Sequence, residues 1–131
     1  MRVFILSPAL GSDGIVTIRT ENGAARVVWK GATPPSLGET NVELTLRGEL
    51  RWGIEVVPAP SGERVGIRED GSVVAALDGV DADGVVKLRM VGGVVMIAPT
   101  GKQPPMSVGD LVHVVGIEID IYPENVGRNA V

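Results

Sequence analysis

The sequence predicts an all-β protein, a small barrel or sandwich of short antiparallel strands. Valine is used heavily, and 18 glycines and 9 prolines interrupt the chain of 131 residues every few positions. No stretch shows a sustained helical period, although Ala75, Ala76 and Leu77 would also suit a short helical turn. Short strands joined by tight turns are therefore expected along the whole chain.

Strands are expected where runs rich in Val, Ile, Leu or Thr end close to a glycine or proline. In chain order they are residues 2–7, 14–20, 25–30, 40–47, 50–57, 64–68, 72–77, 84–90, 93–98, 111–115 and 117–122. A Pro- and Gly-rich break at 58–62 separates the fifth from the sixth. The last segment gives the clearest signal, because Ile117, Ile119 and Ile121 alternate with polar residues on the opposite face. Gly116 precedes it, where a strand must bend or bulge.

The two halves of the chain repeat one another. Matching residues recur at one spacing: Arg19 with Arg89, Gly23 with Gly93, Pro34 with Pro104, and Pro35 with Pro105. That spacing is 70 positions (89 − 19 = 70), and Pro58 matches Pro123 at 65 (123 − 58 = 65). The pattern predicts an internal duplication of about 65 residues. Because so short a unit buries little surface, we expect a single domain whose halves, 1–66 and 67–131, share or pack their cores in one barrel or two.

The segment from Gly109 to Ile121, with strands on both sides of Gly116, resembles the strands of oligonucleotide/oligosaccharide-binding (OB) barrels and related small barrels. The resemblance covers the last two strands of each copy. It implies a small β-barrel of the OB type, and the function would still depend on the site that the barrel carries.

Composition limits the classes of function. Cysteine is absent, which excludes disulfides and thiolate chemistry and fits a reducing cytoplasm. No run approaches the ~20 apolar residues that span a bilayer, so a cytoplasmic protein without a membrane partner is expected. The net charge of −4 falls entirely on residues 67–131, with five basic and nine acidic residues (5 − 9 = −4). An acidic half favours a basic protein partner over a polyanion.

The sequence offers no complete set of catalytic or metal-binding residues. His113 is the only histidine, and it is expected on the apolar side of its strand, in register with Leu111 and Val115, as a core or rim side chain with one or two hydrogen bonds. Asp78, Asp81 and Asp83 form a glycine-bearing acidic turn that could hold calcium, but no glutamate follows to complete such a loop. An ordinary turn is the better interpretation, and no metal or cofactor is expected.

Glu118 and Asp120 share one strand face with Tyr122. Two carboxylates beside an aromatic ring suit a carbohydrate-binding protein or a carboxylate-dependent enzyme, provided that they line a concavity. A solvated strand face explains the pattern more simply, so this function remains the second alternative.

The first alternative is a single-stranded nucleic-acid-binding barrel, which combines stacking aromatics with a basic groove. Its candidate residues are Trp29, Trp52, Arg26, Lys30, Arg47 and Arg51. Strand phase weakens this hypothesis, because both indoles alternate with apolar residues and are expected to be core anchors.

The preferred recognition surface comprises the two proline loops, in which paired prolines lower the entropy lost on binding. Its residues are Pro34, Pro35, Lys102, Pro104 and Pro105. We therefore expect a non-enzymatic protein-binding or assembly module, with a protein partner or self-association through unpaired edge strands.

Overall fold

A computed structural model describes residues 1–7, 14–21 and 23–124, and it confirms the all-β class. The strands are β1 (Arg2–Ile5), β2 (Ile15–Thr20), β3 (Gly23–Trp29), β4 (Gly38–Arg47), β5 (Val56–Pro58), β6 (Gly66–Ile67), β7 (Val73–Val80), β8 (Val86–Met90), β9 (Gly93–Ile97), β10 (Leu111–Val114) and β11 (Glu118–Pro123). Residues 73–80 form a strand, so the helical alternative for the Ala-Ala-Leu segment is wrong. Within the described ranges no helix is long and apolar enough to cross a membrane.

Five strands close into a barrel in the order β1-β2-β3-β11-β4. The first three are consecutive antiparallel neighbours, and β4 returns to pair with β1, which is a Greek key. The last strand, β11, closes the barrel between β4, to which it is antiparallel, and β3, to which it is parallel. The alternating isoleucines of β11 point inward, where Ile119 and Ile121 are buried.

The second sheet has the order β5-β10-β7-β8-β9, with β6 also paired to β7. A bulge between Leu77 and Gly79 shifts the register of β7 on β8. At the far edge, β9 pairs with β8, and a parallel bridge between Arg51 and Thr100 ties the end of this strand to the chain before β5.

Each half of the chain supplies one strand to the other half's sheet. β5 follows β4 but pairs with β10, whereas β11 follows β10 but pairs with β4. The registers correspond as well, because Val42 lies opposite Pro123 and Val112 opposite Pro58. Those positions differ by 70 (112 − 42) and by 65 (123 − 58), the spacings of the sequence repeat. A duplication would give this arrangement, and it stays a prediction.

One hydrophobic cluster is continuous across both sheets. Its fully buried members include Ile5, Ile18, Val42, Leu88, Val114 and Ile121. Trp29 and Trp52 are half-buried and pack against this cluster, in agreement with their expected role as core anchors. On β10 the core side is Val112 and Val114, so His113 lies on the half-exposed face and not, as expected, on the apolar one.

The expected strand over residues 50–57 is wrong in its middle. Gly53 adopts a φ of 86°, and a turn over 53–55 leaves Ile54 55% exposed. The guanidinium of Arg51 binds the carboxylate of Glu55 across this turn. Only Val56–Pro58 therefore forms a strand.

Candidate functional site

The free edge of β9 is the most distinctive surface feature of the second sheet. Thr100 lies just beyond this strand. Its N–H donates a hydrogen bond to the Leu50 carbonyl, and its carbonyl accepts one from the Trp52 N–H. Backbone groups that point to one edge recur at every second residue of a strand. The N–H and C=O groups of Val94 and Met96 therefore point to the same edge as those of Thr100, where no described strand pairs with β9.

The side chains at this edge are apolar and open to solvent. Val94 is 52% exposed and Met96 is 65% exposed, while Val95 and Ile97 between them are buried. Natural edge strands usually carry a charge, a proline or a bulge that discourages pairing. The sequence of β9, Gly-Val-Val-Met-Ile, has none of these. This strand therefore lacks the features that usually discourage strand addition.

A groove of about 470 Å³ runs between β9 and β4. Both edges of β4 are already paired, to β1 and β11, so this strand presents a face and not an edge to the groove. Val94, Met96, Leu44 and Met90 supply its apolar lining. The acidic groups of the groove are Glu43 and Glu124. The amino group of Met1 also lies there and donates a hydrogen bond of 2.9 Å to the Val42 carbonyl.

A second surface covers the outer face of β1, β2 and β3. The guanidinium carbon of Arg19 lies 4.9 Å from the centroid of the Phe4 ring, its cross-strand neighbour. Arg26 lies opposite Thr17, and so diagonally to Arg19. Arg19, Arg26 and Lys30 form no ion pair with a described residue. We call Phe4, Arg19, Arg26 and Lys30 the basic face.

Next to the basic face lies a groove of about 770 Å³ whose charge is mixed. Arg2 and Arg19 line it together with Glu21, Glu39 and Glu124. Arg2 is already paired with Glu39 at 2.7 Å. The acidic side chains reduce the attraction that this part of the surface offers to a polyanion.

The residues of the nucleic-acid hypothesis are only partly brought together. Arg26 and Lys30 belong to the basic face, but the guanidinium of Arg47 binds Asp120 and Glu118, and that of Arg51 binds Glu55. Trp29 donates its indole N–H to the Thr33 carbonyl at 2.7 Å, and both indoles pack against the core. Each ring is therefore half-buried against the core.

The proline loops lie at equivalent places, between β3 and β4 and between β9 and β10. Pro34, Pro105 and Lys102 are exposed, whereas Pro35 and Pro104 are half-buried. Each loop also meets a tryptophan, since Gly31 abuts Trp29 and Gly101 abuts Trp52. Part of each loop therefore serves packing, and the rest stays available to a partner.

The carboxylates of β11 are joined by one arginine. Arg47 donates to both oxygens of Asp120, through Nε at 2.9 Å and Nη2 at 3.2 Å, and it also contacts Glu118 at 2.5 Å. Asp120 is buried, contrary to the solvated face expected for this strand, and Tyr122 is exposed. Two carboxylates neutralised by an arginine are poor candidates for acid and base catalysis.

The three carboxylates of the acidic turn before β8 each have a different partner. Asp78 binds Arg89 at 3.1 Å, Asp81 faces Lys87 at 3.9 Å, and Asp83 accepts a hydrogen bond from the Val85 N–H. Among the described residues no group of three His, Cys, Asp or Glu side chains could hold a metal ion. The turn is explained by these local contacts.

His113 belongs to a small polar network. Its Nε2 lies 2.8 Å from the hydroxyl of Ser72, and that hydroxyl also contacts Asp70 Oδ1 at 2.6 Å. The hydrogen bond from the Ser72 hydroxyl, followed by that from the Ser72 backbone N–H, lowers the pKa of Asp70 below its ordinary value of 3.8. Ser72 is buried and its proton is directed to Asp70, so it is not placed as a nucleophile.

Sequence reasoning missed Val94 and Met96 as well as Arg19 and Phe4. The signal for the first pair was present, because the outward positions of an expected strand over 93–98 carry no charge. Cross-strand pairing of Phe4 with Arg19 depends on the register of β1 on β2, which the sequence did not specify. Comparison of the chain with protein-family models, with curated proteins and with solved structures gives no match.

Proposed function

We propose that this protein is a non-enzymatic protein-binding module that accepts an extended segment of its partner as an additional strand on β9. The observation that carries the proposal is the backbone edge at Val94 and Met96, with which no described strand pairs, beside two exposed apolar side chains. In strand addition the main-chain hydrogen bonds provide affinity, and alternate side chains provide specificity. The proline loop between β9 and β10 follows the same strand, so Lys102 and Pro105 could extend the contact surface.

The geometry of the edge supplies a specific variant. The N–H of Met96 points away from β8, so Met96→Pro removes an edge donor while the β8–β9 ladder keeps its hydrogen bonds. A matched pair tests the side chains, since Val94→Ala truncates an apolar residue at the edge and Leu37→Ala truncates one that is 62% exposed elsewhere.

The experiment is selection from a displayed library of random hexapeptides against the full chain. We expect ligands that lose at least about tenfold in affinity on Met96→Pro and a smaller amount on Val94→Ala, and that bind Leu37→Ala like the wild type. Ligands that bind Met96→Pro normally, or a library that yields no ligand, would refute the proposal.

A second function is favoured by the basic face. We also propose that the closed Greek-key barrel is of the OB type, in which an outer strand face and adjoining loops bind single strands. Arg19, Arg26 and Lys30, which have no ion-pair partner among the described residues, lie beside Phe4 and support this function, while the acidic neighbours in the adjoining groove and the net charge weigh against it.

Labelled oligothymidine and oligouridine, titrated at two salt concentrations, test this second function. Three phosphate contacts would make the logarithm of the affinity fall with the logarithm of salt at a slope of about −2. The double variant Arg19→Ala/Arg26→Ala should abolish binding, and Arg89→Ala, which removes a cation already paired with Asp78, should not. Affinity independent of salt would eliminate nucleic-acid binding.

A further inference from the structure

We infer that the segment added to β9 is basic as well as apolar: an extended stretch of about five residues in which apolar side chains alternate with lysine or arginine. This inference rests on the proposed function and names the class of partner. It follows from the charge of the groove between β9 and β4.

The acidic groups of the groove have no ion-pair partner among residues 1–7, 14–21 and 23–124. Glu43 projects from the exposed side of β4, and Glu124 follows the end of β11. Neither carboxylate forms an ion pair with a described residue, and no lysine or arginine lines the groove. The amino group of Met1 is the single positive charge there, and it donates to the Val42 carbonyl.

The neighbouring cations cannot easily turn toward these carboxylates. On β8, the strand next to β9, Lys87 faces Asp81 and Arg89 binds Asp78. On the other wall, Arg47 of β4 is held by Asp120 and Glu118. Among the described residues, Glu43 is therefore left for a charge that a ligand brings, whereas Glu124 also lines the adjoining groove with Arg2 and Arg19.

The apolar requirement comes from the same groove. A strand added beside β9 would place alternate side chains next to Val94 and Met96, and cross-strand neighbours of an apolar edge are favoured when they are apolar. Met1 limits the groove at the hairpin end of β9, because a Cβ built at Gly92 would meet Met1 Cα at 3.7 Å. The added segment would therefore extend from Val94 toward Thr100.

A second copy of this chain fits the groove less well. The five residues of β9 carry no charge, so an edge-to-edge dimer would bring no cation to Glu43 through this strand. Two copies would also each bring a net charge of −4. A basic segment of another protein satisfies the backbone edge, the apolar side chains and the carboxylates together.

The test uses two fluorescein-labelled peptides with blocked ends, Val-Lys-Val-Lys-Val and Val-Glu-Val-Glu-Val, titrated against the full chain by anisotropy. We expect the lysine peptide to bind at least about tenfold more tightly at low salt, and the difference to shrink as salt is added. Glu43→Lys should weaken the lysine peptide by about tenfold, whereas Glu49→Lys, with the same change of net charge outside the groove, should leave it unchanged.

The inference and the proposed function can fail separately. Equal binding of both peptides, lost in Met96→Pro, would overturn the basic partner and leave strand addition standing. Selected hexapeptides that respond to Met96→Pro but show no enrichment of lysine or arginine would have the same meaning. A dimer that forms with rising concentration and disappears in Met96→Pro, measured by sedimentation, would assign the edge to self-association and overturn the inference.

Discussion

The indole of Trp29 packs against the backbone at Gly31, a residue without a side chain. A Cβ at Gly31 would lie 2.6 Å from Cζ2 of the indole, closer than carbon atoms approach, and the indole N–H is fixed by the Thr33 carbonyl. The glycine thus allows the first proline loop to lie flat on the ring, and the ring connects that loop to the core.

Gly31→Ala is therefore expected to displace the indole and to lower the free energy of unfolding by about 1–3 kcal/mol. Urea unfolding followed by tryptophan fluorescence measures both effects. Gly79→Ala is the matched control, since a Cβ there meets no atom within 4 Å and the backbone has no positive φ. Equal stability of the two variants would mean that the contact between Gly31 and Trp29 has no energetic importance.

Asp70 makes stability depend on pH in a defined direction. Its pKa is lowered below 3.8 in the folded state by the hydrogen bonds from Ser72, so its stabilising effect is present above 3.8 and is lost as pH falls through the lowered folded value. We expect Asp70→Asn to be less stable than the wild type near neutral pH and to approach it in acid. Urea midpoints across this range measure the difference, and a gap that stays constant with pH would contradict the assignment.

Removal of the Ser72 hydroxyl tests the cause of that pKa. Ser72→Ala deletes the largest contribution, the side-chain hydrogen bond, and keeps the backbone N–H that donates to Asp70 at 2.9 Å. The pKa of Asp70, followed by NMR of its carboxyl carbon, should rise toward 3.8. An unchanged pKa would assign the effect to the backbone alone.

At the scale of one strand, β9 has two different edges, and proline distinguishes them. The N–H of Val95 belongs to the side that pairs with β8, and its side chain is buried. Val95→Pro should therefore cost at least about 2 kcal/mol through a lost ladder hydrogen bond and lost packing, while Met96→Pro should cost less than about 1 kcal/mol. Urea unfolding of the two variants tests the geometry without any ligand, and similar losses would show that the edge at Met96 is not free.

The same strand illustrates what periodicity predicts and what it does not. The run of apolar residues after Gly93 predicted a strand over residues 93–98, but it did not distinguish buried from exposed side chains, because no polar residue alternates with the apolar ones. It could not identify β9 as an edge, because pairing depends on which distant segments come together and not on the pattern of one segment. The turn at Gly53–Glu55 was missed for a related reason, since Ile54 continues the apolar alternation while it points to solvent.

At the scale of the whole molecule, the two sheets are joined by the exchange of β5 and β11. The sheet orders β11-β4-β1-β2-β3 and β5-β10-β7-β8-β9 correspond strand by strand, with the exchanged strands at equivalent places. The sequence repeat is compatible with this correspondence but could not reveal the exchange, because an offset between matching residues does not say which copy a strand joins. Neither sheet can be completed by one half of the chain.

Such an arrangement should unfold as one cooperative unit. The barrel is closed by β11, a strand from the half of the chain that forms most of the second sheet. The hydrophobic cluster is also continuous between the barrel and the second sheet. Two single-tryptophan variants separate the regions: Trp52→Phe leaves Trp29 on β3 as the reporter of the barrel, and Trp29→Phe leaves Trp52 beside the second sheet. We expect both reporters to give the same urea midpoint.

Ile121→Ala, introduced into each single-tryptophan variant, tests whether the exchanged strand β11 couples the stability of the two sheets. Ile121 is fully buried in the barrel, and its truncation should cost about 2–5 kcal/mol. If the halves unfold together, the midpoint reported by Trp52 falls as far as that reported by Trp29, although β11 pairs only with barrel strands. If only the Trp29 transition moves, the barrel and the second sheet are independent domains, and the exchange of strands connects them without coupling their stability.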